Sequence, residues 1–243
     1  MSQITTTIQT TCPTPSVYDL ARMMLCDRTI VLEQIPLVYN ANVNALHLPS
    51  CTNKQLFIPV SDPTNRLMID LPVVNLDGFF RNLKGMFLTG YASAPNLDLL
   101  LDYLETWQEL CATKTTLAEV NLASLHALKL VFGLPTCDIK TDIQLTGRNT
   151  EDAVTYARVL TAHFMGDLFV YRSGHTSVNE MVIVSEARLS GEAMRYQTVD
   201  QDLPGIDELP QQIDVKNTSC LEVLAWLPKE KHGDFFKATL YGN

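Results

Sequence analysis

Two helices in tandem are predicted by the stretch Leu97-Asp-Leu-Leu-Leu-Asp-Tyr-Leu-Glu-Thr-Trp-Gln-Glu-Leu-Cys111 and, after a short polar break, by Thr116-Leu-Ala-Glu-Val-Asn-Leu-Ala-Ser-Leu-His-Ala-Leu-Lys-Leu-Val-Phe132. The first segment repeats apolar residues at spacings of three and four, which is the pattern of one buried helix face. These residues are Leu97, Leu100, Leu101, Leu104, Trp107 and Cys111. The helical pair, residues 96–133, is therefore the centre of the predicted fold.

Capping residues mark the ends of both helices. Asn96 is the predicted N-cap of the first. Thr116 and Glu119 form a capping box at the start of the second, and Gly133 followed by Pro135 predicts its end. The second helix is apolar over most of its circumference, so we expect it to be buried in the core or against another subunit.

One polar stripe interrupts the second helix. Glu119, His126 and Lys129 fall on it at 100° per residue. A catalytic base needs a partner that orients it, and a single histidine does not define a site. We therefore interpret His126 as a solvated residue.

Composition predicts a globular α+β protein. The chain has 243 residues, of which 46% are hydrophobic and 19% charged. This length fits one large domain or two small ones. The two-domain interpretation assigns residues 1–136, with the helical pair, to an N-terminal α+β region, and 137–243 to a C-terminal one.

The remaining elements predict antiparallel or mixed sheets packed on the central helices. Ile4, Thr6 and Ile8 alternate with polar residues and predict an edge strand that pairs within the chain or with a neighbouring subunit; a frayed chain terminus is the alternative. Residues 56–60 and 66–71 predict a hairpin.

The C-terminal half predicts a second set of elements. We expect two helices, one that begins at residue 152 and one that begins at residue 234, and a long polar excursion over 191–219. The predicted strands are 139–145, 168–171, 180–189 and 221–227. This βαββ(α)β order resembles the ferredoxin-like layout, a resemblance of element order alone.

The familiar motifs of cofactor and metal sites are absent. Gly85 and Gly90 have the glycine spacing of a phosphate-binding loop, but Tyr91 and Ala92 follow where lysine and a hydroxyl residue are needed. The six cysteines are widely spaced, with no Cys-x-x-Cys and no zinc spacing to histidine. We expect no cofactor, no metal and reduced thiols.

One alternative is an enzyme of undetected type. Ser173 and His175 lie in a predicted turn, and His163 precedes them. With a carboxylate such as Asp167 or Glu180 they supply a nucleophile and a base. Serine, glycine and threonine are also ordinary turn residues, and the turn interpretation is favoured.

A further alternative is single-stranded nucleic-acid binding. Phe169 and Tyr171 share one face of their predicted strand, and Arg172 follows. Exposed aromatic residues on a sheet can stack bases. The net charge of −9 argues against this interpretation.

The leading hypothesis is a non-catalytic interaction or assembly protein. We expect a cytoplasmic homo-oligomer that contacts other proteins, without nucleic acid or membrane. An origin in a virus or phage is a hypothesis without physical argument from the residues. The predicted interface residues are Ile4, Ile8, Leu122, Leu125, Phe132, Phe169 and Tyr171.

Overall fold

The fold is taken from a computed structural model of the chain. It describes residues 3–34, 43–62, 66–133, 137–148, 152–172, 178–197, 205–211, 213 and 218–238.

Strands and helices alternate along much of the described chain. Its strands are β1 (Thr5–Thr10), β2 (Arg28–Leu32), β3 (Ala45–His47), β4 (Gln55–Phe57), β5 (Asp138–Thr141), β6 (Leu168–Arg172) and β7 (Ala193–Gln197). Its α-helices are α1 (Val17–Leu25), α2 (Leu76–Gly90), α3 (Leu97–Leu110), α4 (Leu117–Phe132), α5 (Asp142–Thr146), α6 (Ala153–Ala162), α7 (Val178–Leu189), α8 (Cys220–Trp226) and α9 (Lys229–Ala238). Two 3-10 turns lie at Met68–Asp70 and Ile206–Glu208.

Five strands form one sheet in the order β5-β2-β1-β6-β7, and every neighbouring pair is parallel. Strands β3 and β4 form a separate antiparallel pair. The α+β class predicted from the sequence is confirmed. The main sheet is parallel, however, and it takes strands from both sides of residue 136. The proposed division into 1–136 and 137–243 stays a prediction.

Strand β1 lies in the middle of the sheet, between β2 and β6. The expected edge strand is therefore wrong. Its threonines are buried because specific acceptors meet their hydroxyl groups. Thr6 Oγ1 donates to Asp167 at 2.6 Å, and Thr7 Oγ1 donates to the Val170 carbonyl at 2.7 Å. Threonine combines a β-branched shape suited to strands with a hydroxyl that these acceptors satisfy.

The central helical pair is confirmed as α3 and α4, which pack against each other. The capping box of Thr116 and Glu119 is present, and Gly133 adopts φ +61°. Trp107 is fully buried and donates from Nε1 to the Val120 carbonyl at 2.9 Å, which joins the two helices. Pro135 lies outside the described residues.

Asn96 does not cap α3 with its side chain. Its Nδ2 donates instead to the carbonyls of Leu224 and Leu227, at 2.9 and 2.7 Å. These carbonyls lie at the end of α8, so the two hydrogen bonds of the Asn96 amide join the end of α8 to the start of α3.

Several predicted strands are helices. Residues 180–189 belong to α7, and residues 221–226 belong to α8, which Ser219 caps from its hydroxyl. The apolar residues of 139–145 divide between β5 and the short helix α5. The described residues of 56–60 and 66–71 do not pair as the predicted hairpin: β4 pairs with β3, residues 68–70 form a 3-10 turn, and Val60 makes an antiparallel bridge with Val73 instead. The ferredoxin-like element order is therefore not observed.

The excursion predicted over 191–219 begins with a strand, β7. Residues 198–204, 212 and 214–217 lie outside the described residues, as does the end of the predicted C-terminal helix beyond 238. Within the described ranges, none of the helices combines the length and apolar character that a membrane span needs.

Candidate functional site

The order of strands in the parallel sheet reverses at β1. From β1 the chain moves to β2 and β5 on one side, and later to β6 and β7 on the other. In open parallel sheets, ligands bind outside the carboxyl ends of the strands where the order reverses. Parallel crossovers are nearly always right-handed, so α1 and α7, which lead in opposite directions, cover opposite faces. The crevice between the ends of β1 and β6 is thus the candidate site.

The end of β1 is held by a carboxylate from α7. Glu180 Oε1 accepts the Thr10 backbone N–H at 2.8 Å and the Thr10 hydroxyl at 2.7 Å. Glu180 lies in the first turn of α7, where the helix dipole favours a negative charge. Helix α7 therefore begins at the carboxyl edge of the sheet, directly over β1.

A buried arginine from α1 bonds the end of β7, at the same carboxyl edge of the sheet. Arg22 is 2% exposed and pairs with Asp19 at 2.6 Å. Its Nη1 donates to Gln197 Oε1 at 3.3 Å, and Gln197 Nε2 donates to the Tyr18 carbonyl at 3.0 Å. Gln197 ends β7, so these contacts join α1 to the far side of the crevice. We call Thr10, Asp19, Arg22, Glu180 and Gln197 the switch-point cluster.

The switch-point cluster carries two carboxylates and one guanidinium. Burial raises the pKa of Glu180, the nearby Arg22 lowers it, and Asp19 raises it again. The neighbouring Cys12 thiol has a pKa raised first by burial and then by the negative charges of Asp19 and Glu180. An ionised cluster thus has a formal charge of −1 and a negative local field.

A second polar group lies at the ends of β2 and β5. Asp142 is fully buried and accepts the backbone N–H groups of Glu33 and Gln34, at 3.0 and 3.1 Å. It also accepts the Ile143 N–H at 2.8 Å and the Tyr156 hydroxyl. Glu33 is 5% exposed. We call Glu33 and Asp142 the acid pair.

The acid pair has unusual protonation behaviour. Burial, followed by the charge of Asp142, raises the pKa of Glu33 to about 7. The Thr141 hydroxyl opposes this rise, and Glu119 adds to it. Burial also raises the pKa of Asp142, against the hydrogen bonds that stabilise its charged form. A carboxyl group that titrates near neutrality can both donate and accept a proton.

The histidine–carboxylate site predicted from the sequence is not assembled by the described residues. Asp167 bonds Thr6, whereas Glu180 bonds Thr10, four residues further along β1. At about 3.3 Å per residue the two carboxylates lie about 13 Å apart, at opposite edges of the sheet. His163 is exposed and lies on the Asp167 side, where Arg28 contacts both residues. Ser173 and His175 lie outside the described residues.

The predicted aromatic binding face is internal. Phe169 is fully buried, and its ring stacks on Phe164 and on the half-buried Tyr171, with ring centroids 5.0 and 6.2 Å apart. Both faces of a parallel sheet are normally covered by helices, so Phe169 cannot stack a base. The Arg172 side chain lies outside the described part.

The predicted interface residues divide between core and surface. Ile8, Leu125, Phe132 and Phe169 are buried in the core of the chain itself. Ile4 is 43% exposed, while Leu122 and Tyr171 are half-buried. On α4, His126 is exposed, and Glu119 Oε2 is occupied by the N–H groups of Thr115 and Thr116. Glu119 therefore acts as a helix cap.

The cysteines offer no activated thiol. All six are free and mostly buried. Burial raises the pKa of Cys111 to about 12 and also raises that of Cys137, so neither is a thiolate at neutral pH. Among the described residues, no group of three or more His, Cys, Asp or Glu is placed to hold a metal ion.

The fold places Glu33, Asp142, Arg22 and Gln197 at the carboxyl edge of the sheet, and none of the four was singled out from the sequence. A signal was present for two of them. Glu33 directly follows the apolar strand ending in Leu32, and Asp142 directly follows Thr141 at the end of β5. Carboxylates directly after parallel strands share one edge of the sheet.

Comparisons with protein-family models, with curated proteins and with solved structures gave no match.

Proposed function

We propose that this protein binds a small polar molecule in the crevice at the carboxyl ends of β1 and β6, and that it is an enzyme that uses Glu33 as a proton donor or acceptor. The observation that carries the proposal is that two buried charged side chains bond the carboxyl ends of strands in the same sheet. Glu180 from α7 bonds Thr10 at the end of β1, and Arg22 from α1 bonds Gln197 at the end of β7.

The chemistry of the site supports this proposal. Charged groups are costly to bury, and proteins retain them most often where they bind or react. Glu33 adds a group that exchanges a proton near neutral pH. Two carboxylates at one sheet edge, a buried arginine and an amide supply donors and acceptors for a polar ligand.

A thermal-shift screen of the full chain against a library of small metabolites tests this proposal. We expect some compounds to raise the unfolding midpoint of the wild type and not that of Glu180→Gln. Asp167→Asn is the matched control, because Asp167 makes the equivalent buried bond to a β1 threonine at the opposite edge. The proposal fails if no compound binds, or if the compounds that bind stabilise Glu180→Gln as much as the control.

The assembly role expected from the sequence remains a second proposal, with a different surface. Helices α6 and α7 expose Val154, Val159, Met181 and Leu189, at 41, 45, 48 and 79%. Val154 and Met181 line one groove of about 340 Å³ with Val182. Clustered exposed apolar side chains are typical of protein contacts, and here we propose a second copy of the chain.

Light scattering over micromolar concentrations tests this second proposal. We expect a dimer that Met181→Glu converts to a monomer. Leu130→Glu is the control, because Leu130 is 68% exposed on α4, away from this groove. A wild-type monomer at every concentration would remove the proposal, and loss of the dimer in Leu130→Glu alone would move the interface to α4.

A further inference from the structure

A cavity of about 740 Å³ lies between helix α2 and the segment that leads into β4. Gly85 and Thr89 follow Arg81 at spacings of four, and Met86 follows Asn82 at the same spacing, so these residues share one face of the helix and form one wall. The facing wall consists of residues 51–56. We call this space the α2 cavity. Its volume is within the range of about 300–1,000 Å³ that is typical of small-molecule sites.

The two walls of the α2 cavity are held together by contacts within the chain. Cys51 Sγ donates to the Met86 carbonyl at 3.5 Å. The neighbouring Ser50 N–H donates to Glu222 of α8 at 2.9 Å. A Cβ at Gly90 would stand 2.6 Å from Cys51 Sγ, so this close approach requires glycine. Because the walls are already in place, a ligand does not have to order them when it binds.

The charges on the two walls have the same sign. Arg81 and Lys54 are exposed, and none of the described residues that line the α2 cavity is acidic. Neither cation makes an ion pair within the described part of the chain, although Asp77 lies one helical turn before Arg81. Lys84, on the same helix, in contrast pairs with Glu105 at 3.2 Å. In a chain of net charge −9, two such cations on one cavity favour an anionic ligand.

A glycine keeps the middle of the helix wall open. Gly85 lines the α2 cavity, and no atom lies within 4 Å of the place where its Cβ would stand. Glycine inside a helix is less favourable than alanine, because it loses more backbone freedom on folding. A long side chain at this position would extend into the space between the walls. The unfavourable residue thus stands where a side chain would compete with a ligand, and this observation is independent of the charges.

The remaining polar groups of the α2 cavity are neutral. Asn53 and Gln55 on one wall and Asn82 on the other carry exposed amides, which both donate and accept hydrogen bonds. Such groups suit the hydroxyl groups of a sugar. None of the described residues that line the cavity is aromatic, so it lacks the platform on which nucleic-acid bases stack.

We propose that the α2 cavity binds a small phosphorylated sugar, whose phosphate group accepts hydrogen bonds from Arg81 and is also stabilised by the charge of Lys54. Arginine binds phosphate through its planar fork of N–H donors, and lysine binds it as a point charge. The amides of Asn53, Gln55 and Asn82 bond the hydroxyl groups of the sugar. This site shares no residue with the crevice at the carboxyl edge of the sheet, so the inference does not depend on the proposed enzyme function.

Calorimetric titration of the full chain tests the inference. The probes are glucose 6-phosphate, fructose 6-phosphate and ribose 5-phosphate, each with its unphosphorylated sugar, together with inorganic phosphate. We expect at least one sugar phosphate to bind at least tenfold more tightly than both its parent sugar and inorganic phosphate. The inference is overturned if no sugar phosphate binds, or if inorganic phosphate binds equally well. Tighter binding of oligothymidylate or polyglutamate than of any sugar phosphate would also overturn it, because the ligand would then be a polyanion.

Arg81→Gln tests the contact with the phosphate group. It removes a charge that lines the α2 cavity, so we expect at least tenfold weaker binding of the sugar phosphate that the wild type binds. Lys84→Gln is the matched control, because Lys84 is an exposed cation of the same helix that does not line the cavity. The control should keep the wild-type affinity. Equal losses in both variants would reveal a general effect of net charge and would overturn the inference.

Gly85→Leu separates ligand binding from folding. Leucine favours a helix more than glycine does, so we expect an unfolding midpoint at least as high as that of the wild type. The leucine side chain occupies the α2 cavity, so we expect at least tenfold weaker binding of the same sugar phosphate. Unchanged affinity in this variant would overturn the inference.

Glu180→Gln distinguishes the α2 cavity from the crevice. This variant alters the crevice alone, so it should bind the sugar phosphate as tightly as the wild type does. Loss of binding in Glu180→Gln with full binding in Arg81→Gln would place the sugar phosphate in the crevice and would overturn the inference while supporting the proposed function.

Discussion

Asp142 accepts the backbone N–H of Glu33 at 3.0 Å, which places two buried acidic residues next to each other at the ends of neighbouring parallel strands. Asp142 is surrounded by donors that stabilise its charge, whereas Glu33 meets that charge as a neighbour. The two carboxyl groups therefore differ in the ease with which they ionise, as pairs in acid–base sites do.

Stability should fall as the pH rises through the range in which Glu33 ionises. Its pKa is about 7 in the folded chain, against an ordinary value of 4.5. Between these values the folded state holds a proton that the unfolded state has lost, so rising pH favours unfolding, and the effect is complete above about pH 7. The difference between the two pKa values corresponds to a loss of about 3 kcal/mol in the free energy of unfolding.

Glu33→Gln should remove most of this pH dependence. Urea unfolding at pH 5 and pH 8 measures it, and the variant should gain stability relative to the wild type at pH 8. Glu105→Gln, at an exposed glutamate of α3, is the control and should follow the wild type. An unaltered pH profile in Glu33→Gln would show that Glu33 titrates normally.

Tyr156→Phe should destabilise the chain by about 1–3 kcal/mol, since it removes one donor from a buried carboxylate. The Tyr156 hydroxyl is buried and bonds Asp142. Tyr171→Phe is the matched control, because the Tyr171 hydroxyl makes an exposed contact with Arg188, and we expect a change within about 0.5 kcal/mol. Chemical denaturation at pH 7 compares the two, and equal losses would contradict the assignment.

Thr116→Ala should cost about 1 kcal/mol of unfolding free energy, because the Thr116 hydroxyl accepts the Glu119 N–H at the start of α4. Thr113→Ala, three residues earlier in an exposed turn, should have little effect. Guanidinium denaturation measures both variants. Equal free energies of unfolding for Thr116→Ala and Thr113→Ala would contradict a stabilising role for the cap.

Two glycines should respond to alanine with opposite signs. Gly133 has φ +61°, so Gly133→Ala places a side chain in a strained backbone and should cost about 1 kcal/mol. Gly85 lies inside α2 with open space where a Cβ would stand, so Gly85→Ala should gain about 0.5–1 kcal/mol. Thermal unfolding of the two variants tests the contrast, and shifts of the same sign would refute it.

The central helical pair was predictable because its signals are local. The capping box of Thr116 and Glu119 and the stop at Gly133 lie within one or two turns of the helix ends that they define. Helix α7 was not predictable in the same way. Its run Met181-Val-Ile-Val184 is rich in residues that favour strands, and its helical state accompanies long-range packing against α6.

The placement of β1 and of the site could not be obtained from local pattern. Alternating isoleucine and threonine predicts a half-buried strand, and only acceptors more than 150 residues away in the chain, Asp167 for Thr6 and Val170 for Thr7, show why these threonines are internal. The switch-point cluster likewise joins Arg22 to Gln197. This pairing cannot be inferred until the order of the strands in the sheet is known.

The central position of β1 has a consequence for how the chain is made. Its two neighbours are β2, which begins at Arg28 after helix α1, and β6, which begins only at Leu168. A ribosome must therefore release most of the polypeptide before the middle of the sheet can be completed. Such distant pairings slow folding, so the nascent chain carries an incompletely paired strand during much of its synthesis.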